Sequence, residues 1–138
     1  MLGSPLHVGG LGAGTAAKLV ANNVLFGVLG VLGESLALGR SLGLRTDRLF
    51  AVLDTTPIAA QAHRRRGLID SGEYPTRFAL SLARKDARLI AGVAPTSDLD
   101  LRLATAALSW LESAVDAGLG DQDYTAVLGH VLGNSVRD

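Results

Sequence analysis

Lys18 and Asn22 stand four residues apart, directly behind the glycine-rich run Gly9-Gly10-Leu11-Gly12-Ala13-Gly14. Positions i and i+4 share one face of a helix, so an ammonium and an amide so spaced can address one bound molecule. An ammonium at the start of an apolar helix is expected to be partly desolvated and able to exchange protons near neutrality, as a general acid or base does. Asn22 carries both donors and an acceptor and can orient a hydroxyl or carboxylate beside it. A surface lysine followed by a helix-facing asparagine satisfies the same spacing, and spacing alone leaves both readings open.

Other groupings carry less. Gly12-Ala13-Gly14-Thr15-Ala16-Ala17 fits the dinucleotide fingerprint G-x-G-x-x-A, with Glu34 where a ribose-binding acid would stand. That fingerprint needs a strand before it and a strand ending in the acid after it. Only Leu6-His7-Val8 precedes the glycines, and Glu34 falls in a helical run. A phosphate loop fits less well still, because Lys18 follows no glycine directly and has no Ser or Thr behind it. His63-Arg64-Arg65-Arg66 reads as the solvated end of a helix stopping at Gly67, where the helix dipole favours cations. His7, His63 and His130 show no ligand spacing, so no metal site is expected. Trp110, amid Leu108, Leu111 and Ala114, reads as core or interface, and Asp121 and Asp123 as capping and loop residues.

The elements that must position Lys18 and Asn22 are helical. The 138 residues suit one domain, 48% apolar, with one Trp, two Tyr and three Phe, so the core must be Leu, Val and Ala at close range. From about Gly14 to Gly39 no proline interrupts, and Leu25, Val28, Leu29 and Leu32 recur at helical spacing while Val24, Phe26 and Val31 cover other faces. A helix apolar all round is a central one. Gly43 closes it, and further helices are expected over Asp47 to Leu53, from Pro57 to Arg66, and from about Thr76 to Val93. A fifth begins after Ser97, capped there with Asp100 three residues on, and runs through Trp110 to Gly118; the sixth follows Asp121. No alternating strand of useful length and no long repeat is evident. The expected fold is all-α, a multi-helix bundle around one long N-terminal helix, with residues 1–138 as a single helical domain.

Thirteen basic and thirteen acidic side chains cancel, so no overall field draws the chain to nucleic acid or an anionic membrane. The longest apolar run, Val24 to Gly33, is shorter than the ~20 residues a spanning helix needs. No secretory signal is visible, which makes a cytoplasmic location the expectation. The absence of cysteine leaves the redox compartment open. Gly27, Gly30 and Gly33 each cost about 1 kcal/mol of helix propensity relative to Ala. Their recurrence predicts a closely packed neighbour and a homodimer.

The string from His7 to Asn23 closely resembles the G-x-x-G-x-G-x-x-x-K-x-x-x-N signature of the β-hydroxyacid dehydrogenases. Phe78 with Lys85-Asp86 resembles that family's F-x-x-x-x-x-x-K-D segment, and Gly118 to Tyr124 resembles its G-x-G-D-x-D close. The resemblance covers about His7 to Gly133 and implies the 6-phosphogluconate dehydrogenase C-terminal-domain fold, an NAD or NADP cofactor and a small hydroxy acid substrate. It makes Lys18 the catalytic proton-transfer lysine and Asn22 a substrate-binding residue. Lys85 and Phe78 become cofactor-binding residues, and Phe78, Lys85, Leu82 and Leu89 also fall on one stripe. The family's dinucleotide-binding Rossmann domain precedes this signature, and no counterpart is found in these residues. The expectation is therefore a C-terminal helical domain with little or no catalysis by itself, since half a cleft loses most of its positioning. A helical dimerisation or binding module that has lost the chemistry is the alternative.

Overall fold

The computed structural model describes residues 12–133. They form α1 (Ala13–Ser41), α2 (Thr46–Leu53), α3 (Ala59–Ser71), α4 (Leu80–Thr96), α5 (Arg102–Ala114), a π-helical turn (Val115–Leu119) and α6 (Ala126–Leu132). Extended pairing among the described residues is confined to a single bridge, Ala79 to Asp123. The all-α expectation holds.

α1 is the organising element because its inner row, Leu19, Phe26, Leu29, Leu32 and Leu36, is buried against α4, α5 and α6. Burying each of these side chains contributes roughly 2 kcal/mol. Gly33 explains how α6 comes so near: a methyl there would stand 3.3 Å from Val131 Cβ. Gly39 does the same for α2, since a Cβ would overlap Leu49. Gly43, at φ +90, then turns the chain out of the helix. Thus Gly33 is used within the chain, whereas a Cβ on Gly27 or Gly30 would meet nothing within 4 Å among the described residues.

The expectation that α1 is buried all round is corrected. Val20, Val24, Val31 and Leu38 lie exposed on its outer side. From Gly14 to Ser41 this helix is also long and apolar enough, by length and composition alone, to cross a membrane, which the ten-residue run did not reveal. A core helix passes the same test, and the inner row packs as one.

Several boundaries also differ. α3 does not stop at Gly67 but continues to Ser71, because Ile69 is buried on the far side of that glycine. Gly72, at φ +70, ends it, with its N–H on Leu68 O. The arginine run therefore lies inside α3: Arg66 sits over the Phe50 ring and 3.6 Å from Asp70. α4 starts later than expected, at Leu80, and carries Pro95 in its last turn. α5 begins after Leu101 with no side-chain cap; Ser97 ends α4, and Asp100 pairs with the Arg102 side chain instead.

Candidate functional site

Gly12 lies in extended backbone and accepts the Ala16 N–H, so α1 starts immediately behind the glycines and aims Lys18 and Asn22 over α4. Both meet one carboxylate there. Asn22 Nδ2 donates to Asp86 Oδ2 at 3.3 Å, and Lys18 Nζ stands 4.0 Å from the same oxygen. The Lys18 side chain is 63% exposed and that of Asp86 only 14%. Among the described residues, then, nothing encloses Lys18 as the sequence led one to expect. An exposed pair at this distance adds less than about 1 kcal/mol of stability. Its effect is placement: one oxygen holds the ammonium and the amide side by side.

In the sequence Asp86 stands out only as the acid of the Lys85-Asp86 pair. Its signal lay in α4, where Leu80, Ala83, Ala87 and Ile90 form the buried row. A carboxylate three residues after Ala83 stands at the edge of that row and needs donors from the facing helix.

Lys85 points elsewhere. It is exposed beside exposed Leu82 and Leu89, so the stripe read from the sequence is an outward apolar row with one cation in it. Among the described residues it makes no ion pair. Phe78 precedes α4 rather than riding on it, and its placement depends on the far end of the chain. Asp123 Oδ1 accepts the Arg77 and Phe78 amides at 3.0 Å each, and Phe78 O accepts the Tyr124 N–H at 2.8 Å. The Phe78 ring meets Tyr124 edge-on at 5.8 Å between centroids, and Arg65 donates from Nη2 to the Tyr124 hydroxyl at 3.2 Å.

Asp123 is buried, which works to raise its pKa. Hydrogen bonds from the Thr125 hydroxyl and from the amides of Phe78, Arg77 and Thr125 outweigh that, holding the carboxyl below its ordinary 3.8. It is thus an ionised anchor for the segment that leads into α4, whose own first amides go to Gln122 O and Gly120 O.

The structure therefore brings Lys18 and Asn22 together through Asp86 and sets Lys85 one residue away on the outward side of the same helix. Phe78 is fixed separately by Asp123. No hydrogen bond or ion pair among the described residues links Phe78 or Lys85 to Lys18 or Asn22. Among the described residues, nothing stands within 4 Å of a Cβ built on Gly12 or Gly14. Glu34, the acid of the rejected fingerprint, accepts the Trp110 indole N–H at 2.6 Å from within α1. His63 pairs with Asp54 and His130 with Ser113. His7 lies outside the described residues. Among the described residues no three His, Asp or Glu side chains gather as metal ligands would.

Residues 12–131 match the family model for NAD-binding of NADP-dependent 3-hydroxyisobutyrate dehydrogenase. The chain is 32% identical over 127 residues to glyoxylate/succinic semialdehyde reductase 2, chloroplastic, of Arabidopsis thaliana, covering 91% of this chain and 35% of that protein. It is 28% identical over 123 residues to glyoxylate/succinic semialdehyde reductase 1 of the same plant, covering 88% and 43%. The crystal structure of 3-hydroxyisobutyrate dehydrogenase from Salmonella typhimurium superposes with a TM-score of 0.73 at 29% identity, covering 86% of this chain and 42% of that one. The chain thus spans about two fifths of the length of the proteins it matches.

Proposed function

Since the chain belongs to the 3-hydroxyisobutyrate dehydrogenase family, a group of β-hydroxyacid dehydrogenases, we propose that it is the helical, proton-transferring half of a nicotinamide-dependent enzyme. That enzyme oxidises a small 3-hydroxy acid or reduces the matching semialdehyde. The observation that carries this reading is the convergence of Lys18 and Asn22 on one oxygen of Asp86.

Lys18 Nζ moves the proton at the substrate oxygen, taking it from the hydroxyl in oxidation and returning it to the carbonyl oxygen in reduction. Asp86, 4.0 Å from Nζ, sets the direction in which that side chain points. Asn22 has a second amide hydrogen and its oxygen free of Asp86, enough to fix a substrate hydroxyl or carboxylate beside Lys18. Lys85 and Phe78 would hold one flank of the dinucleotide, NAD or NADP, which when bound supplies or accepts the hydride. The larger share of cofactor binding belongs to a part of the enzyme outside these residues. That part also covers Lys18, which is open to water here. The enzyme works as a homodimer, a reading supported by Gly27 and Gly30, against which no described residue packs within 4 Å of a built Cβ.

Calorimetric titration of the chain with NADH and NADPH tests the cofactor half. Weak binding of at least one is expected, reduced about tenfold or more in Lys85→Ala. A folded chain that binds neither removes Lys85 and Phe78 from the site. In the chain joined to a nucleotide-binding domain of a relative, Lys18→Ala should abolish turnover while leaving NADH affinity unchanged. Turnover that survives the substitution refutes the assignment.

A further inference from the structure

Among the described residues, Arg65 is a cation buried without a counter-ion. It lies on α3 between Ala62 and Ile69, in the one row that helix buries, and is itself 9% exposed. Its Nε, shut away from solvent, meets no acceptor among the described residues. Gln61 Oε1, one turn earlier on α3, is equally enclosed and unpaired, so the neighbouring acceptor on the helix is not what directs the guanidinium. Burying a charge with so few partners is costly, and a leucine or methionine would fill the same seat without that cost. What the guanidinium supplies is direction. Its Nη2 donates to the Tyr124 hydroxyl at 3.2 Å, and its central carbon stands 5.8 Å from the centroid of that ring.

Tyr124 is therefore held at both ends. Its N–H goes to Phe78 O at 2.8 Å and its hydroxyl to Arg65, while its ring meets that of Phe78 at 5.8 Å and 68°. A ring tied at root and tip cannot move to another rotamer without breaking a hydrogen bond. Phe78 leans on that ring and is only partly buried, so what it leans on decides how its open part is presented.

We propose that Arg65 is a positioning residue for the cofactor flank: by holding the Tyr124 hydroxyl it fixes the ring on which Phe78 rests, and so the angle at which Phe78 meets the nicotinamide dinucleotide. This deepens the assignment of Phe78 to cofactor binding and rests on it. Two charges then share one aromatic. Asp123 holds the Phe78 amide and sets where the residue stands, and Arg65, 59 residues before Tyr124, sets which way its ring faces.

A double-mutant cycle, read by titrating the 138-residue chain with NADH and NADPH, tests this. Arg65→Met removes the donors at similar length, and Tyr124→Phe removes the acceptor but keeps the ring. Each should weaken binding about fivefold, the scale of one hydrogen bond, and the double variant should be no weaker than either alone. Arg65→Lys, which keeps a donor on a long stem, should recover part of the loss. If Tyr124→Phe fails to fold with its guanidinium unpaired, the double variant, which buries no charge there, should still match Arg65→Met. Additive losses, or full affinity in Tyr124→Phe, overturn the proposal. A second readout needs no nucleotide. The proton resonances of the Phe78 ring, identified by their loss in Phe78→Leu, should shift in Arg65→Met while circular dichroism is unchanged. Resonances that stay in place overturn the proposal even where binding falls. A folded wild-type chain that binds neither nucleotide instead defeats the cofactor reading, and the resonances alone then decide whether Arg65 orients Phe78.

Discussion

At the scale of residues, two carboxylates do different work. Asp86 is half in the buried row of α4 and gathers donors from α1, so it sets direction at little energetic gain. Asp123 is fully enclosed, and four hydrogen bonds keep it ionised. Because its folded pKa lies below the ordinary 3.8, the unfolded chain binds its proton more readily. The stabilisation is then complete above that ordinary value and is lost as pH falls from there through the depressed one. Thermal melts between pH 7 and pH 2 should show a steep acid limb that flattens in Asp123→Asn. At pH 7 that variant should be about 2 kcal/mol less stable, the scale of hydrogen bonds to a charged group. Equal acid limbs would deny Asp123 this role.

At the scale of elements, periodicity reveals which segments are helical but not which of their faces find a neighbour. The length of α1 was legible because no proline breaks it and Gly43 ends it. The exposure of Val20 and Val31 was not, since an apolar side chain reads the same whether it meets α6 or water. Gly67 misled for a related reason: a glycine is a stop only where the backbone turns left-handed, and Gly72, not Gly67, does so. Lys18 and Asn22 were legible from spacing and resemblance, whereas Asp86 required knowing that α4 crosses the start of α1. The glycines also differ in what they permit. Gly67 is exposed with nothing within 4 Å, so Gly67→Ala should stabilise α3 by about 1 kcal/mol. A Cβ on Gly129 would stand 2.9 Å from the buried Tyr74 ring, so Gly129→Ala should destabilise by about 1 to 2 kcal/mol despite its helical gain. Urea unfolding of both variants checks the opposite signs.

At the scale of the whole molecule, the homodimer proposed for a neutral chain with one long apolar face would be driven by burial rather than by charge. Its melting temperature should therefore rise with protein concentration and respond little to salt, because a dimer that unfolds to separate chains is stabilised by mass action. A melting temperature constant over a hundredfold dilution would contradict this. The clasp between Asp123 and the start of α4 also has a consequence in time. The carboxylate that receives the Phe78 amide is joined to the chain 45 residues after it. At ordinary rates of synthesis that is roughly 2 to 9 seconds on the ribosome. Throughout that interval the segment leading into α4 lacks its anchor, so Phe78 and the start of α4 set among the last parts of the fold, and a chain that stalls before residue 123 leaves the ribosome with the helix that carries Lys18 made and the approach to α4 unfastened.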